Sequence, residues 1–256
     1  MTSALRRREG DAPPQLGMWV KIPAIETIEL IAHAGYDFVV IDLEHGPMTL
    51  ESCYRAIVVA QGRGLAALVR MPDASGALTQ RVLDMGADGL LIPHVTSRDV
   101  AADAVAGMLF PPRGTRGLGT TSRAGVWGME PTTAYLDRAV DRVMRIPQLE
   151  DPEAVEVADE ICAVEGVNAV LIGLGDLSLS LGVSPGDPSL DGMVDRVMAA
   201  AHAHDLPVGT AVRTADAAVT AARRGYDFVV LGNDATVFGD AAAQLVSSTR
   251  SALAAE

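Results

Sequence analysis

The chain has 256 residues, 49% of them hydrophobic, with a formal net charge of -13; this is enough apolar material for one sizeable core, in the size range of a single α/β barrel. The acidic balance, with no basic run beyond Arg6-Arg7-Arg8, argues against nucleic acid as a partner, and no apolar run approaches the roughly 18 residues that a membrane span needs. Two isolated cysteines, Cys53 and Cys162, fit a reducing cytoplasm and not a disulfide framework.

In chain order, residues 1–15 read as a disordered tail, because the Arg triplet runs into Glu-Gly-Asp-Ala-Pro-Pro and not into the apolar stretch of a signal. Residues 16–256 read as one domain. A first strand near 17–22 carries Lys21, the only lysine of the chain. Schiff-base chemistry with a carbonyl substrate would have to use it. A second strand near 37–42 enters through Gly35-Tyr36-Asp37. That entry recurs as Gly86-Ala87-Asp88, Gly166-Val167-Asn168 and Gly225-Tyr226-Asp227, each followed by four or five apolar residues. Glycine ends a helix, and an unbroken apolar run marks a parallel strand buried on both faces. Further strands fall near 66–71, 89–93, 143–149, 169–173, 207–212 and 227–232. The segments 49–62, 74–86, 97–107, 152–163 and 214–224 between them show helical spacing, with acids or Ser/Thr near their starts. Eight β/α units in this length predict a TIM (β/α)8 barrel. The rival, a doubly wound sheet, has no Gly-x-Gly-x-x-Gly in the first βα turn to support it. The Gly/Pro-rich stretch 110–130 is too long for an ordinary connection, and such loops are often functional.

In a barrel the chemistry sits at the carboxyl ends of the strands. Those ends carry Asp42, Glu44 and His45, then Arg70, then His94, then Gln148 and Glu150, then Asp176, then Arg213. Gln148 and Glu150 are two apart on a strand and share a face. A carboxylate from a later strand end, Asp176, can join them, and two hard oxygen ligands with positions left open for substrate and water describe a Mg²⁺ or Mn²⁺ site. Asp42, three residues before His45, is placed to orient its imidazole. Arg70 follows an apolar run and needs an anionic partner. Asp84, in the third helix, reads as a solvated acid; Arg113 and Arg116 read as solvated braces of the long loop; His33, His202 and His204 fall in helical segments.

Asp42-Leu43-Glu44-His45-Gly46-Pro47, Val82-Leu83-Asp84-Met85-Gly86-Ala87 with Leu91-Ile92-Pro93, and Pro111-Pro112-x-Gly114-x-Arg116-Gly117 resemble the HpcH/HpaI aldolase family. So do Gln148-Leu149-Glu150 and Asp176-Leu177-Ser178-x-Ser180-Leu181-Gly182, in the family's order and spacing from about residue 16 to 240. The resemblance implies a metal-dependent pyruvate aldolase that cleaves 4-hydroxy-2-oxo acids, such as 2-dehydro-3-deoxy-aldarates, to pyruvate and an aldehyde. By resemblance Glu150 and Asp176 hold the divalent ion (Mg²⁺ or Mn²⁺, with Co²⁺ and Zn²⁺ as further candidates), and Gln148 and the backbone around Gly175 bind pyruvate. Arg70 stabilises the enolate, His45 is the base, Asp42 pairs with it, and Asp84 raises its basicity from across a subunit boundary. The family implies a homo-oligomer, a hexamer or trimer, in which barrels exchange a terminal helix. The chain departs from it at Leu43, where a small residue is frequent, at Gly175, where alanine is common, and along 120–127, a stretch that in the family shapes the aldehyde pocket. The alternatives are an acyl-CoA lyase of the same superfamily and a non-catalytic barrel.

Overall fold

The computed structural model describes residues 4–10, 12–74 and 76–255. Eight parallel strands close in sequence order into a barrel. They are β1 (Gln15–Val20), β2 (Phe38–Asp42), β3 (Ala66–Arg70), β4 (Gly89–Ile92), β5 (Met144–Leu149), β6 (Val170–Ile172), β7 (Val208–Val212) and β8 (Phe228–Asn233). The helices that return the chain from each strand's end to the next strand's start include α1 (Ile25–His33), α2 (Leu50–Gly62), α3 (Gly76–Asp84), α4 (Arg98–Met108), α5 (Thr132–Arg142), α6 (Pro152–Glu156), α7 (Ala158–Cys162), α8 (Leu174–Leu181), α9 (Asp191–Ala203) and α10 (Ala215–Arg224). The 20-residue α11 (Asp234–Leu253) follows β8. The expected TIM barrel is the observed fold.

Strand alternation sorts the core into two shells. Phe38, Val40, Leu68, Leu91, Ile146, Phe228 and Val230 fill the barrel, while Val39, Ile41, Val69, Leu90 and Val229 pack outward against helices. Phe38 and Phe228 meet edge to face with centroids 6.1 Å apart. They fit because Gly17 and Gly209 lie against their rings; a Cβ on either glycine would come within 2.1 or 2.0 Å of ring carbon.

The recurring Gly-x-Asp/Asn entry has a second use beyond ending helices. Its polar residue accepts the backbone N–H at the start of the preceding strand: Asp37 from Leu16 (2.8 Å), Asp88 from Ala67 (2.8 Å), Asn168 from Arg145 (2.7 Å) and Asp227 from Val208 (2.9 Å). Entry into each even-numbered strand therefore ties down the odd-numbered strand before it.

The amino-terminal segment differs from the expected disordered tail. Leu5 is 1% exposed and joins the barrel core from its base. Arg8 donates its backbone N–H to Asp227 (2.8 Å) and its guanidinium to the Ala222 carbonyl (2.8 Å), while Gln15 donates to Ala4 (2.9 Å). The buried Leu5 and these hydrogen bonds together dock the segment; residues 1–3 and 11 of the expected tail lie outside the described residues.

Candidate active site

The carboxyl ends of the strands surround a cavity of about 540 Å³ lined by, among others, Trp19, Lys21, Arg70, Gln148, Gly175, Asp176 and Arg213. Two polar clusters meet there.

The first is built on β1, β2 and β3. Asp42 ends β2 with 0% exposure. Its carboxylate accepts from Arg70 Nε (3.0 Å) and Nη2 (2.6 Å), and from Lys21 Nζ. Arg70 also reaches Glu44 (2.9 Å) and lies over the Trp19 ring at 4.4 Å. Burial alone would raise the Asp42 carboxyl, but the two cations and the His45 N–H outweigh it and hold it down at about 2. Asp42 thus does not orient the His45 ring: it accepts the His45 backbone N–H at 3.1 Å, and its remaining capacity is taken by Arg70 and Lys21. The His45 ring, 60% exposed, has Glu44 at 3.7 Å. Glu44 and His94 were placed at strand ends by the sequence but given no role there. Glu44 lies between Arg70, His45 and His94 (3.3 Å), and the His94 ring stands 3.3 Å from Glu150 as well. His94 takes φ 55°, uncommon for a side-chain-bearing residue, and this aims its N–H at Glu150 (2.8 Å). No local pattern signals a bridge between the ends of β2, β4 and β5.

The second cluster is on β5 and β6. Gln148 and Glu150 do share a face, and the Gln148 amide donates to Glu150. Gly173, after β6, allows this approach; a Cβ there would sit 2.5 Å from Glu150 Cβ. Asp176 stands in the first turn of α8, where N–H groups lack an i−4 partner, and Gly175 beside it has open space over its Cα. Burial pushes the Glu150 carboxyl up to about 7, the Asp176 charge adding to the rise against the lowering effect of the His94 N–H. Gln148 Oε1 is buried without a hydrogen-bond partner among the described residues. A buried carboxylate short of positive charge, a second carboxylate beside it and an unpartnered amide oxygen fit a hard divalent cation and the water it carries.

Asp84 and Arg116 lie elsewhere. Asp84 ends the nine-residue α3, about 13 Å along the helix axis from its start near the mouth. Arg116 is not a solvated brace: it is 3% exposed, pairs with Asp84 at 2.7 Å, lies over the Phe110 ring at 4.6 Å and contacts the Tyr135 hydroxyl at 2.9 Å. The 110–130 loop packs against the end of α3 through Arg123 to the Met85 carbonyl (3.0 Å) and the Ala124 N–H to the Asp84 carbonyl (3.1 Å). A cavity of about 650 Å³ in this region, roomier than the mouth, is also lined by Arg123, Arg138 and Trp127. Within one chain this loop therefore borders the barrel base and not the mouth.

A closed eight-stranded β/α barrel with acids, an arginine and a histidine gathered at its carboxyl mouth is an α/β-barrel enzyme. The family model described as HpcH/HpaI aldolase/citrate lyase matches residues 15–241. A 2-keto-3-deoxy-L-rhamnonate aldolase of Escherichia coli O17:K52:H18 is 31% identical over 98% of this chain and 94% of that protein. Among solved structures, an HpcH/HpaI aldolase/citrate lyase family protein from Burkholderia cenocepacia J2315 superposes with a TM-score of 0.87 at 31% identity, covering 95% of this chain and 96% of that one. An HpcH/HpaI aldolase from Desulfitobacterium hafniense DCB-2 gives 0.88 at 28% identity, covering 93% of each. The chain belongs to the HpcH/HpaI aldolase/citrate lyase family and is a carbon–carbon lyase of the aldolase type. Use of a divalent metal ion is general in that family.

Proposed function

We propose that the chain is a divalent-metal-dependent pyruvate aldolase that cleaves 4-hydroxy-2-oxo acids, with sugar-derived 2-keto-3-deoxy acids as its substrate class. The observation that carries this reading is the meeting of Gln148, Asp176 and Arg70 around one cavity of substrate size, with Glu150 hydrogen-bonded to Gln148 beside it. The name of the Escherichia coli relative supports the sugar-acid class.

Glu150 and Asp176 would hold the ion, Mg²⁺ or Mn²⁺ by the hardness of their oxygens. When bound, the ion supplies Lewis acidity to the 2-oxo acid. Gln148, lining the cavity, and the first-turn N–H groups at Gly175 and Asp176 orient the pyruvyl portion. Arg70, fixed at its edge by Asp42 and Glu44 and on its face by Trp19, donates to the oxygen on which enolate charge develops. His45 accepts the C4 hydroxyl proton, the C3–C4 bond breaks, the aldehyde departs, and proton return to C3 completes pyruvate. Lys21 is ion-paired with Asp42. An ammonium held this way is a poor nucleophile, so no Schiff base is part of the mechanism.

Asp84 acts, in this reading, from a neighbouring copy. Trp127, 57% exposed, with Met129 and Leu118, gives the loop beside Asp84 an apolar surface suited to burial in a homo-oligomer, a hexamer or trimer. The described residues include no helix long and apolar enough to cross a membrane, and both cysteines are free and buried; we place the enzyme in the cytoplasm. Pyruvate release from 2-keto-3-deoxy sugar acids, followed with a pyruvate-consuming coupling enzyme and a chelator control, tests the assignment. Chelator-sensitive release is expected; release that survives chelation, or none from any 4-hydroxy-2-oxo acid, would overturn it.

A further inference from the structure

Nineteen of the twenty Lys/Arg residues are arginine, and the single lysine stands in the active-site cavity. Its place is built. Asp234, buried at the start of α11, accepts the backbone N–H of Lys21 (2.9 Å) and of Ile22 (3.0 Å), which fixes where β1 ends. From there the ammonium reaches the same Asp42 oxygen that Arg70 Nη2 occupies.

The charges around Arg70 show what that contact does. Arg70 carries +1 and is held by two acids, Asp42 and Glu44, that carry −2. Alone, this trio would present a net negative charge to an anionic 2-oxo acid. Lys21 brings the group to neutrality, and its side chain is three-quarters buried, where solvent screens it little. We propose that Lys21 is a positioning residue that offsets Asp42, so that Arg70 keeps its attraction for the substrate anion while remaining rigidly clamped. An ammonium suits the position because it is a compact point charge, whereas a second guanidinium would compete with Arg70 for the fork of Asp42. The low carboxyl of Asp42 agrees with two cations acting on it.

This inference rests on the pyruvate-aldolase reading, and one assay separates the two. Exchange of pyruvate methyl protons with D₂O, measured against pyruvate concentration with saturating Mg²⁺ or Mn²⁺, gives a half-saturation value and a maximal rate. If the wild-type chain shows no exchange, the functional reading fails. If it does, Lys21→Met should raise half-saturation for pyruvate about 10- to 50-fold, the effect of one uncompensated charge several ångströms away at intermediate screening. The maximal rate should change less, and Lys21→Arg, which keeps the charge but competes with Arg70 for Asp42, should restore only part of the affinity. A merely structural lysine would lower thermal stability and leave half-saturation alone. The double variant Lys21→Met/Asp42→Asn returns the trio to balance and should recover affinity lost by Lys21→Met. Unchanged half-saturation in folded Lys21→Met overturns the proposal. Loss in the single variant without recovery in the double one overturns it too, and makes Lys21 a direct ligand of the substrate.

Discussion

His45 holds its ring in solvent at the mouth, with Glu44 at 3.7 Å. In the proposed chemistry its removal costs proton transfer and little else, so His45→Ala should lower aldol cleavage by about 100-fold or more while metal binding persists. Cleavage within a few-fold of wild type would remove it as the base. Glu150 is a different case, since its carboxylate is buried against Gln148 and beside Asp176. Glu150→Gln keeps the shape and removes an anionic ligand; Mg²⁺ or Mn²⁺ affinity by calorimetry should fall on the order of tenfold or more, and unaltered affinity would refute the ligand assignment. Asp42 gives a pH test. Its carboxyl is depressed in the folded chain, from 3.8 to about 2. Its contribution is therefore complete above the unfolded value and lost as pH falls through the folded one. Stability should decline between about pH 4 and pH 2 by about 2 kcal/mol from this group, and Asp42→Asn should flatten that limb in acid-unfolding curves. The types of these residues were legible from strand-end positions, but their partners were not. Lys21–Asp42, Arg70–Glu44 and His94–Glu150 each join two different strand ends, and only closure of the barrel makes them neighbours.

Among the elements, the strands were readable because most are built on short apolar runs such as residues 38–41 and 228–231, the pattern a strand buried on both faces needs; β5, interrupted by Arg145 and Gln148, was readable from its place in the β/α alternation. β6 is shorter than expected, Val170–Ile172, since Gly173 turns away to let Gln148 and Glu150 pack. What the repeated Gly-x-Asp/Asn could not show alone is the destination of its polar side chain, the start of the preceding strand. Asp88 accepts both from Ala67 and from the Gln61 amide. Asp88→Ala leaves a buried donor unpaired, so unfolding stability should drop by about 1–3 kcal/mol; a loss below a few tenths would deny the clamp its role. Leu5 was missed for a local reason: a lone leucine beside three arginines carries no periodicity, and its burial depends on the open base of a barrel formed by the rest of the chain.

At the scale of the whole molecule, the two ends of the barrel divide the family's expected machinery. The mouth holds His45, Arg70, Gln148, Glu150 and Asp176, whereas Asp84, Arg116 and the 110–130 loop form a separate, arginine-rich surface with Trp127 exposed. If Asp84 serves a neighbour's mouth, oligomers mixed from Asp84→Asn and His45→Ala chains should regain cleavage that neither parent has. Mixed oligomers as inactive as the parents would confine Asp84 to its pair with Arg116. That separation could not be read from sequence, because a motif's order along the chain does not say which copy it completes. The most direct test of the central claim is loss of the pyruvate methyl signal by proton NMR in D₂O, on chelator-stripped enzyme before and after adding Mg²⁺ or Mn²⁺. The account predicts exchange with added metal and almost none without it. Folded protein that shows no exchange with any divalent ion, or the same exchange after stripping, would contradict a metal-dependent pyruvate enolate at this mouth.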